Sequence, residues 1–501
     1  MPVNTLETAE SLKSGLFDKV AKQVIGDDLV IMTPFGKKKV IYADWIASGR
    51  LYRPIEELMV DHFGPLVGNT HSEASFVGES MTRAYKMAHQ LIKKHVNAGP
   101  EDVIISCGSG MTAAVSKLQR MLGLHVPERA KPYYNLPESE RPVVFLTHME
   151  HHSNQTSWLE CEVDVVVIPP GNNLEVVPEN LEKELEKYKD RKYKIGSFTA
   201  CSNVTGIFTP YHSLAGIMHR HGGLCFIDFA ASAPYVDMDM HPENADEALD
   251  AIYFSPHKFL GGPGSSGVLI FNSKLYTNKV PDQPGGGTLL WTNPWGEHHY
   301  YDDIETREDG GTPAFLQTIR AALAIRLKEQ MGTENMTRRE QELLDIAFRR
   351  LSGVPNLHIL APGRQKRLSM LSFYVDNFHY NLIVRVLSDY YGVQVRGGCT
   401  CAGTYGHYLL HVTEEQSSEI TDRIDEGDLS AKPGWVRLSL HPVMTNEEVE
   451  YICNAIAQIA AEQERWESLY KYSPKTNEYY PVNGSDYIGP KLAQWFSLEL
   501  D

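Results

Sequence analysis

The chain has 501 residues, of which 42% are hydrophobic and 22% charged, which gives length for two cores, because single cores stop growing at roughly 250–300 residues. A formal net charge of −17 without any long lysine or arginine run excludes a broad nucleic-acid surface. No segment reaches the roughly 18 consecutive apolar residues of a membrane helix. Seven widely spread cysteines exclude a disulfide framework, and the opening MPVNTLETAESLKSGLF lacks an apolar leader core, so a cytoplasmic protein is expected.

Residues 72–97, opening on SEAS, have helical spacing and lead into the first apolar run. From about residue 100 to residue 270, short apolar runs alternate with helical patterns: DVIIS, PVVFL, VDVVVIP, KIGSFTA, GLCFIDF, LDAIYFS and SGVLIF. Such β-branched, nearly continuous runs suit strands buried on both faces, predicting an α/β fold with a mainly parallel sheet. PENLEKELEKYK and YHSLAGIMHRHG are the clearest intervening helices. HVPERAKPYYNLPESERP is a surface insertion, whereas PGGGTLLWTNPWGEHHYYDD, rich in Gly, Pro and aromatics, is expected to be an ordered loop near a site.

A helix-rich connector at about 313–352 precedes strands in RLSMLSFYV, GVQV and GWVRLSL and helices in YNLIVRVLSDYY and TNEEVEYICNAIAQIAAEQ. The expected organisation is an N-terminal segment (1–40), a large domain (41–312), a smaller α+β domain (313–465) and a C-terminal tail (466–501).

Four stretches carry chemistry, each at the carboxyl end of a predicted strand, where open α/β sheets bind ligands. In SCGSGMTAAVSKLQRMLG a strand ends in a small-residue turn and a helix begins. The backbone N–H groups at Gly110 and Met111 and the Thr112 hydroxyl suit a phosphate monoester; an ordinary N-cap is the plainer alternative. The stretch lacks both G-x-G-x-x-G and G-K-[ST], which weighs against dinucleotides and triphosphates.

THMEHHSNQTSW places His151 just past a strand, as a structural histidine or as an imidazole that stacks on a flat ring. In GLCFIDFAASAPY, Asp228 follows a largely apolar run. A carboxylate there calls for a cation such as a protonated pyridine nitrogen, unless it caps a helix. YFSPHKFLGGPG puts Lys258 after Ser255 and His257. A lone lysine is ordinarily a solvated surface group, but a desolvated one at a strand end is a nucleophile able to form a Schiff base. The order of phosphate turn, stacking histidine, strand-end aspartate and Ser-x-His-Lys sets these stretches apart from independent accidents.

With these marks, together with SNVTG, DGGTP, RGGCTCAG and RLSL, the sequence resembles the class V aminotransferase and cysteine desulfurase family of fold-type I, pyridoxal 5′-phosphate (PLP) enzymes, from IYADWIAS near residue 41 to VRLSLHPVMTNEEV near 449. The resemblance implies a large mainly parallel domain with a smaller α+β C-terminal domain. It implies PLP on Lys258, Asp228 at the pyridine nitrogen, His151 on the ring, and Thr112, Ser255 and His257 with Gly110 and Met111 at the phosphate. It further implies Asn203 at the ring oxygen and substrate, Arg437 at the substrate carboxylate, and Ala47, Asn69 and His71 near the substrate. Thr312 of DGGTP would reach the phosphate of a partner subunit in a homodimer, and no metal is implied.

Cys401 stands five residues after Arg396, the spacing of the family's nucleophilic cysteine. The GCTC pair is also similar to the loop of molybdenum cofactor sulfurases, which leaves Cys399 open as the reactive thiol. One departure is Ala231, where the family usually has a glutamine touching the ring; Ser232 is a candidate substitute. The resemblance therefore implies a cysteine desulfurase or selenocysteine lyase that releases alanine through a cysteine persulfide and passes sulfur to an acceptor protein. The alternatives are transamination, epimerisation or β-elimination on the same scaffold, and a PLP-binding protein without catalysis.

Overall fold

The computed structural model describes residues 9–70, 72–363, 366–484 and 487–498, with side chains from residue 15 onward. Two compact units form: a larger one of Ile46–Thr337 and Lys366–Leu368, and a smaller one of Met1–Trp45, Arg338–Gln365 and Ser369–Asp501. Among the described residues no helix is long and apolar enough to cross a membrane.

After short helical segments between Arg53 and Leu66, the first long helix of the larger unit is α1 (Phe76–His95), whose buried Met81, Tyr85, Ala88, His89 and Ile92 recur at helical spacing and whose Ser75 cap accepts the Gly78 N–H. That cap sets the start four residues later than the sequence reading, which began at residue 72. Chain order then runs β1 (Asp102–Cys107), α2 (Met111–Met121), β2 (Val143–Thr147), α3 (His152–Leu159), β3 (Asp164–Ile168), α4 (Pro178–Lys187), β4 (Lys194–Thr199), α5 (Tyr211–Arg220), β5 (Leu224–Asp228), β6 (Ala251–Phe254) and β7 (Gly267–Asn272).

The seven strands form one sheet in the order β1-β7-β6-β5-β4-β2-β3. Every pairing among β2 to β6 is parallel, and β7 runs antiparallel to both β1 and β6. This is the mainly parallel α/β sheet expected from the apolar runs. The exception accompanies a connection without a crossover helix: between β6 and β7 stands only a 3₁₀ turn at Pro256–Lys258, whereas a parallel return is usually made through an α-helix. Because β7 opposes both neighbours, β1 points the same way as β6, so the carboxyl ends of β1, β2, β4, β5 and β6 share one edge. Behind that edge, Trp158, Phe226, Tyr253 and Leu269 are fully buried in the core between sheet and helices. Each such apolar side chain contributes roughly 1.5–3 kcal/mol.

The insertion in the sequence at 125–142 contains only the 3₁₀ turns Glu128–Tyr133 and Glu138–Glu140, and the Gly/Pro/aromatic loop is a hairpin of Leu289–Thr292 and His298–Tyr300.

In the smaller unit β8 (Leu357–Ile359), β9 (Met370–Val375), β10 (Arg396–Gly398) and β11 (Trp435–Ser439) make an antiparallel sheet in the order β8-β9-β11-β10. It is covered by helices that include α7 (Tyr380–Val386) and α8 (Asn446–Ala461); the α8 start is fixed by a capping box of Thr445 and Glu448. For α6 (Phe315–Met331), in the larger unit, Ile319, Ala322, Ile325 and Leu327 are buried. The aromatic tail forms a hairpin, Tyr470–Ser473 with Glu478–Pro481, followed by the exposed helix Gly489–Ser497.

Glu340 of the smaller unit is buried, and burial pushes its carboxyl up to about 8 although the Ser369 backbone hydrogen bond opposes the shift. A carboxyl whose folded pKa is raised contributes stability below its unfolded value of 4.5 and loses that contribution as pH rises through about 8. Thermal melts at about pH 6 and about pH 9 should therefore show a fall in Tm that Glu340→Gln reduces; an equal fall in both proteins would contradict the assignment.

Candidate active site

A cavity of about 580 Å³ opens at the shared carboxyl edge of the sheet in the larger unit. Its lining includes Gly110, Met111, Thr112, His151, Asn203, Asp228, Ala231, Ser255, His257 and Lys258. These residues come from five strand ends: β1 supplies the turn to α2, β2 leads to His151, β4 to Asn203, β5 ends on Asp228, and β6 passes into Ser255–Lys258.

The start of α2 is built for close approach. Gly110 caps the helix without a side-chain bond, and the Met111 N–H donates to Ser255 Oγ at 2.8 Å. A Cβ on Gly110 would lie 2.9 Å from Ser255 Oγ and 3.4 Å from the His257 ring. One on Gly267 would lie 2.3 Å from the Gly110 carbonyl oxygen, so β7 also needs glycine to pass under this turn. The Thr112 hydroxyl donates to Ser153 Oγ at 2.8 Å, and the Ser153 N–H donates to His151 Nδ1 at 3.1 Å. The helix start, with its dipole and hydroxyls, is thus a polar cradle for an anion.

Behind it, Glu150 fixes the turn that carries His151. Its carboxylate accepts from Thr147 Oγ1 at 2.6 Å, the Thr199 N–H at 2.9 Å and Asn154 Nδ2 at 2.8 Å. Burial nevertheless raises it to about 7. The Asn154 amide oxygen accepts from Tyr253 Oη at 2.9 Å, tying α3 to β6.

Asp228 is buried at the last residue of β5. Burial raises its carboxyl to about 6, against the pull of the Ala230 N–H at 2.8 Å and the charge of Lys258. His257 is lowered to about 4, first by burial and then by the same lysine, so near neutral pH its imidazole carries no charge. Lys258 itself is half-buried, its backbone held by the Ser255 carbonyl at 3.0 Å.

Of the other expected site residues in the larger unit, Ala47 and Thr312 do not line this cavity; the Thr312 hydroxyl, exposed, donates to Asn69 Oδ1 at 3.5 Å. His71 lies outside the described residues. Ser232 is fully buried and absent from the lining, whereas the Ala231 methyl takes part in it; Ser232 therefore does not replace the missing glutamine. Ser109, Ser116, Ser153, Thr199 and Cys201 line the cavity without having been singled out from the sequence. Ser153 and Thr199 had a signal, as polar neighbours of the His151 turn and of the β4 end.

Arg437 and Cys401 belong to the smaller unit. Arg437 is buried in β11, where its Nη2 donates to Asp44 Oδ1 at 2.8 Å, and Arg396 Nε donates to Asp44 Oδ2 at 3.0 Å. Of the seven cysteines Cys401 is the exposed one; Cys107 and Cys399 are half-buried and the rest buried. Burial lifts Cys107 to about 11 and Cys161 and Cys453 to about 12.

The cavity residues fit PLP. The Gly110 cradle with its hydroxyls suits a phosphate, Lys258 is an amine for an aldehyde, and the buried Asp228 matches a protonated ring nitrogen. Filling the cradle tests this: Gly110→Ala should weaken PLP uptake at least ~10-fold (about 1.4 kcal/mol), measured by titrating visible absorbance. Unchanged uptake would place the phosphate elsewhere.

A family model described as aminotransferase class-V matches residues 41–452. A probable cysteine desulfurase of Halalkalibacterium halodurans is 29% identical over 373 residues, 72% of this chain and 84% of that protein. One of Staphylococcus aureus is 27% identical over 385 residues, 76% of this chain and 87% of that protein. Among solved structures, a cysteine desulfurase from Thermococcus onnurineus superposes with a TM-score of 0.70 at 21% identity, covering 88% of this chain and 98% of that one. The cysteine desulfurase CsdA from Escherichia coli gives 0.65 at 22% identity, covering 84% and 94%. These two likenesses establish a shared fold. Since the family match spans most of the sequence and includes every strand that ends at the cavity, the chain belongs to the aminotransferase class-V family of PLP-dependent enzymes.

Proposed function

We propose that this protein is a PLP-dependent cysteine desulfurase or selenocysteine lyase, moving sulfur or selenium from the free amino acid onto Cys401 and releasing alanine. The observation that carries this reading is the exposure of Cys401 alone among seven cysteines, on the loop that starts at Arg396 and within electrostatic reach of Arg437. An exposed sulfur can be reached by a substrate, as a nucleophile must be. Similar proteins that carry the name cysteine desulfurase support the same reading.

When bound, PLP would supply an electron sink for charge left at the substrate Cα. Lys258 would anchor the cofactor and its amine would take the Cα proton. The Asp228 carboxylate would pair with the ring nitrogen and His151 would stack on the ring. Thr112, Ser255, the start of α2 and an uncharged His257, which donates a hydrogen bond rather than a charge, would hold the phosphate. Asn203 is assigned to the ring oxygen and substrate, and Arg437 to the substrate carboxylate, for which its planar fork is suited. Ala47 and His71 are assigned to the substrate and Thr312 to a partner's phosphate, so the working species is proposed to be a homodimer, with an acceptor protein taking the sulfur.

Sulfur transfer then balances: the Cys401 sulfur, having lost its proton, would bond to the substrate sulfur as the substrate Cβ–S bond breaks, Cβ would gain one proton, and the proton held by Lys258 would return to Cα to complete alanine. A second reading rests on Ala231. A methyl group in the cavity lining where the family usually has glutamine favours transamination, epimerisation or β-elimination on the same scaffold.

The test supplies PLP and L-cysteine and measures alanine and protein-bound persulfide. Alanine should form in step with persulfide; Cys401→Ala should lose at least ~100-fold in rate, and Cys399→Ala should retain activity. Absence of alanine, full activity in Cys401→Ala, or dependence on an amino acceptor would refute the desulfurase reading.

A further inference from the structure

Arg396 of β10 and Arg437 of β11 stand directly opposite each other across the sheet of the smaller unit. Like charges in that register repel, and Arg437 is buried, which by itself disfavours its charge. What reconciles them is Asp44, whose two carboxylate oxygens divide between the two guanidinium groups at 2.8 and 3.0 Å.

Asp44 is not free to swing. Ile41 and Tyr42 pair in parallel with Val393 and Gln394, the Ser439 N–H donates to the Ala43 carbonyl at 2.8 Å, and Trp45 stacks on His441 with ring centroids 4.2 Å apart. The carboxylate is therefore held against the strand that carries Arg437, and through Arg396 it grips the first residue of the cysteine loop. The far end of that loop is under backbone tension: Thr400 and Cys401 have φ of 48° and 58°, a left-handed conformation costly for residues with a Cβ and more so for β-branched threonine.

Resting on the desulfurase reading, we infer that Asp44 is a positioning residue that couples Arg437 to the Cys401 loop. A carboxylate that takes the Arg437 fork displaces the Asp44 oxygen from it, so Asp44 no longer ties Arg396 to Arg437; with that bridge broken the strained loop relaxes, which makes the thiol more reactive when the arginine is occupied. Asp44 would thereby synchronise nucleophile release with substrate arrival.

The experiment measures alkylation of Cys401 by iodoacetamide in the full-length, PLP-loaded protein by peptide mapping, with Cys399 as internal reference. Propionate serves as the probe, having a carboxylate but no amine. In the native protein propionate should speed Cys401 alkylation several-fold and leave Cys399 unchanged. Asp44→Asn should alkylate fast without propionate and no longer respond, and Asp44→Glu, which keeps the charge, should restore the response. With L-cysteine, Asp44→Asn should lower KM, because Asp44 no longer competes for Arg437, whereas a merely structural loss would raise KM. Lack of a propionate effect on the native protein would overturn the inference even if Asp44→Asn does not fold, and so would an Asp44→Asn protein that alkylates and responds like the native one. If propionate acts as described but cysteine yields no alanine, the desulfurase reading falls and the coupling stands; alanine formation without any propionate effect removes the coupling alone.

Discussion

The larger unit is organised around one unfavourable placement that its surroundings make tolerable: a carboxylate, Asp228, buried at the end of a central strand. Burial raises its proton affinity to about 6, and the charge of Lys258 works against that rise. A buried acid of this kind persists where a cation answers it, and the lysine amine is the nearest such group at the same edge. Burial, with the charge of the same lysine added, keeps His257 uncharged. The electrostatic character of the cavity thus follows from one acid and one amine placed on adjacent strands.

Topology delivers the pair. Because β5 and β6 are parallel neighbours, with Asp228 paired to Tyr253, the residues that follow them emerge on one side, together with the ends of β1, β2 and β4. Second-rank contacts then remove freedom: Glu150 binds the His151 turn, and Asn154 ties α3 to β6 through Tyr253. The absence of a Cβ at Gly110 and Gly267 leaves the α2 start open to an anion.

Much of this was legible in the sequence because it is local. Apolar runs of strand length announced all seven strands, and Asp228, His151 and Lys258 stood out by following such runs directly. The direction of β7 was not marked in any residue, only in the lack of a helical pattern in the connection before it. Ser153 and Thr199 were marked only by standing next to the His151 turn and the β4 end, and Cys201 has no pattern of its own until the chain is folded. Asp44 was hidden more completely: its partner Arg437 lies 393 positions away, and the carboxylate in IYADWIAS gives no hint of the two arginines it divides between. Ser232 illustrates the opposite error, since adjacency to Ala231 suggested a substitute that the fold turns into the core.

The central claim is that the Lys258 amine carries the aldehyde cofactor at the carboxyl edge of the sheet. Borohydride reduction of the PLP-loaded protein, followed by proteolysis and mass spectrometry, addresses it most directly. A reduced pyridoxyl adduct confined to Lys258 is the result the account predicts; an adduct on another lysine, or none in a protein that has bound PLP, would contradict it.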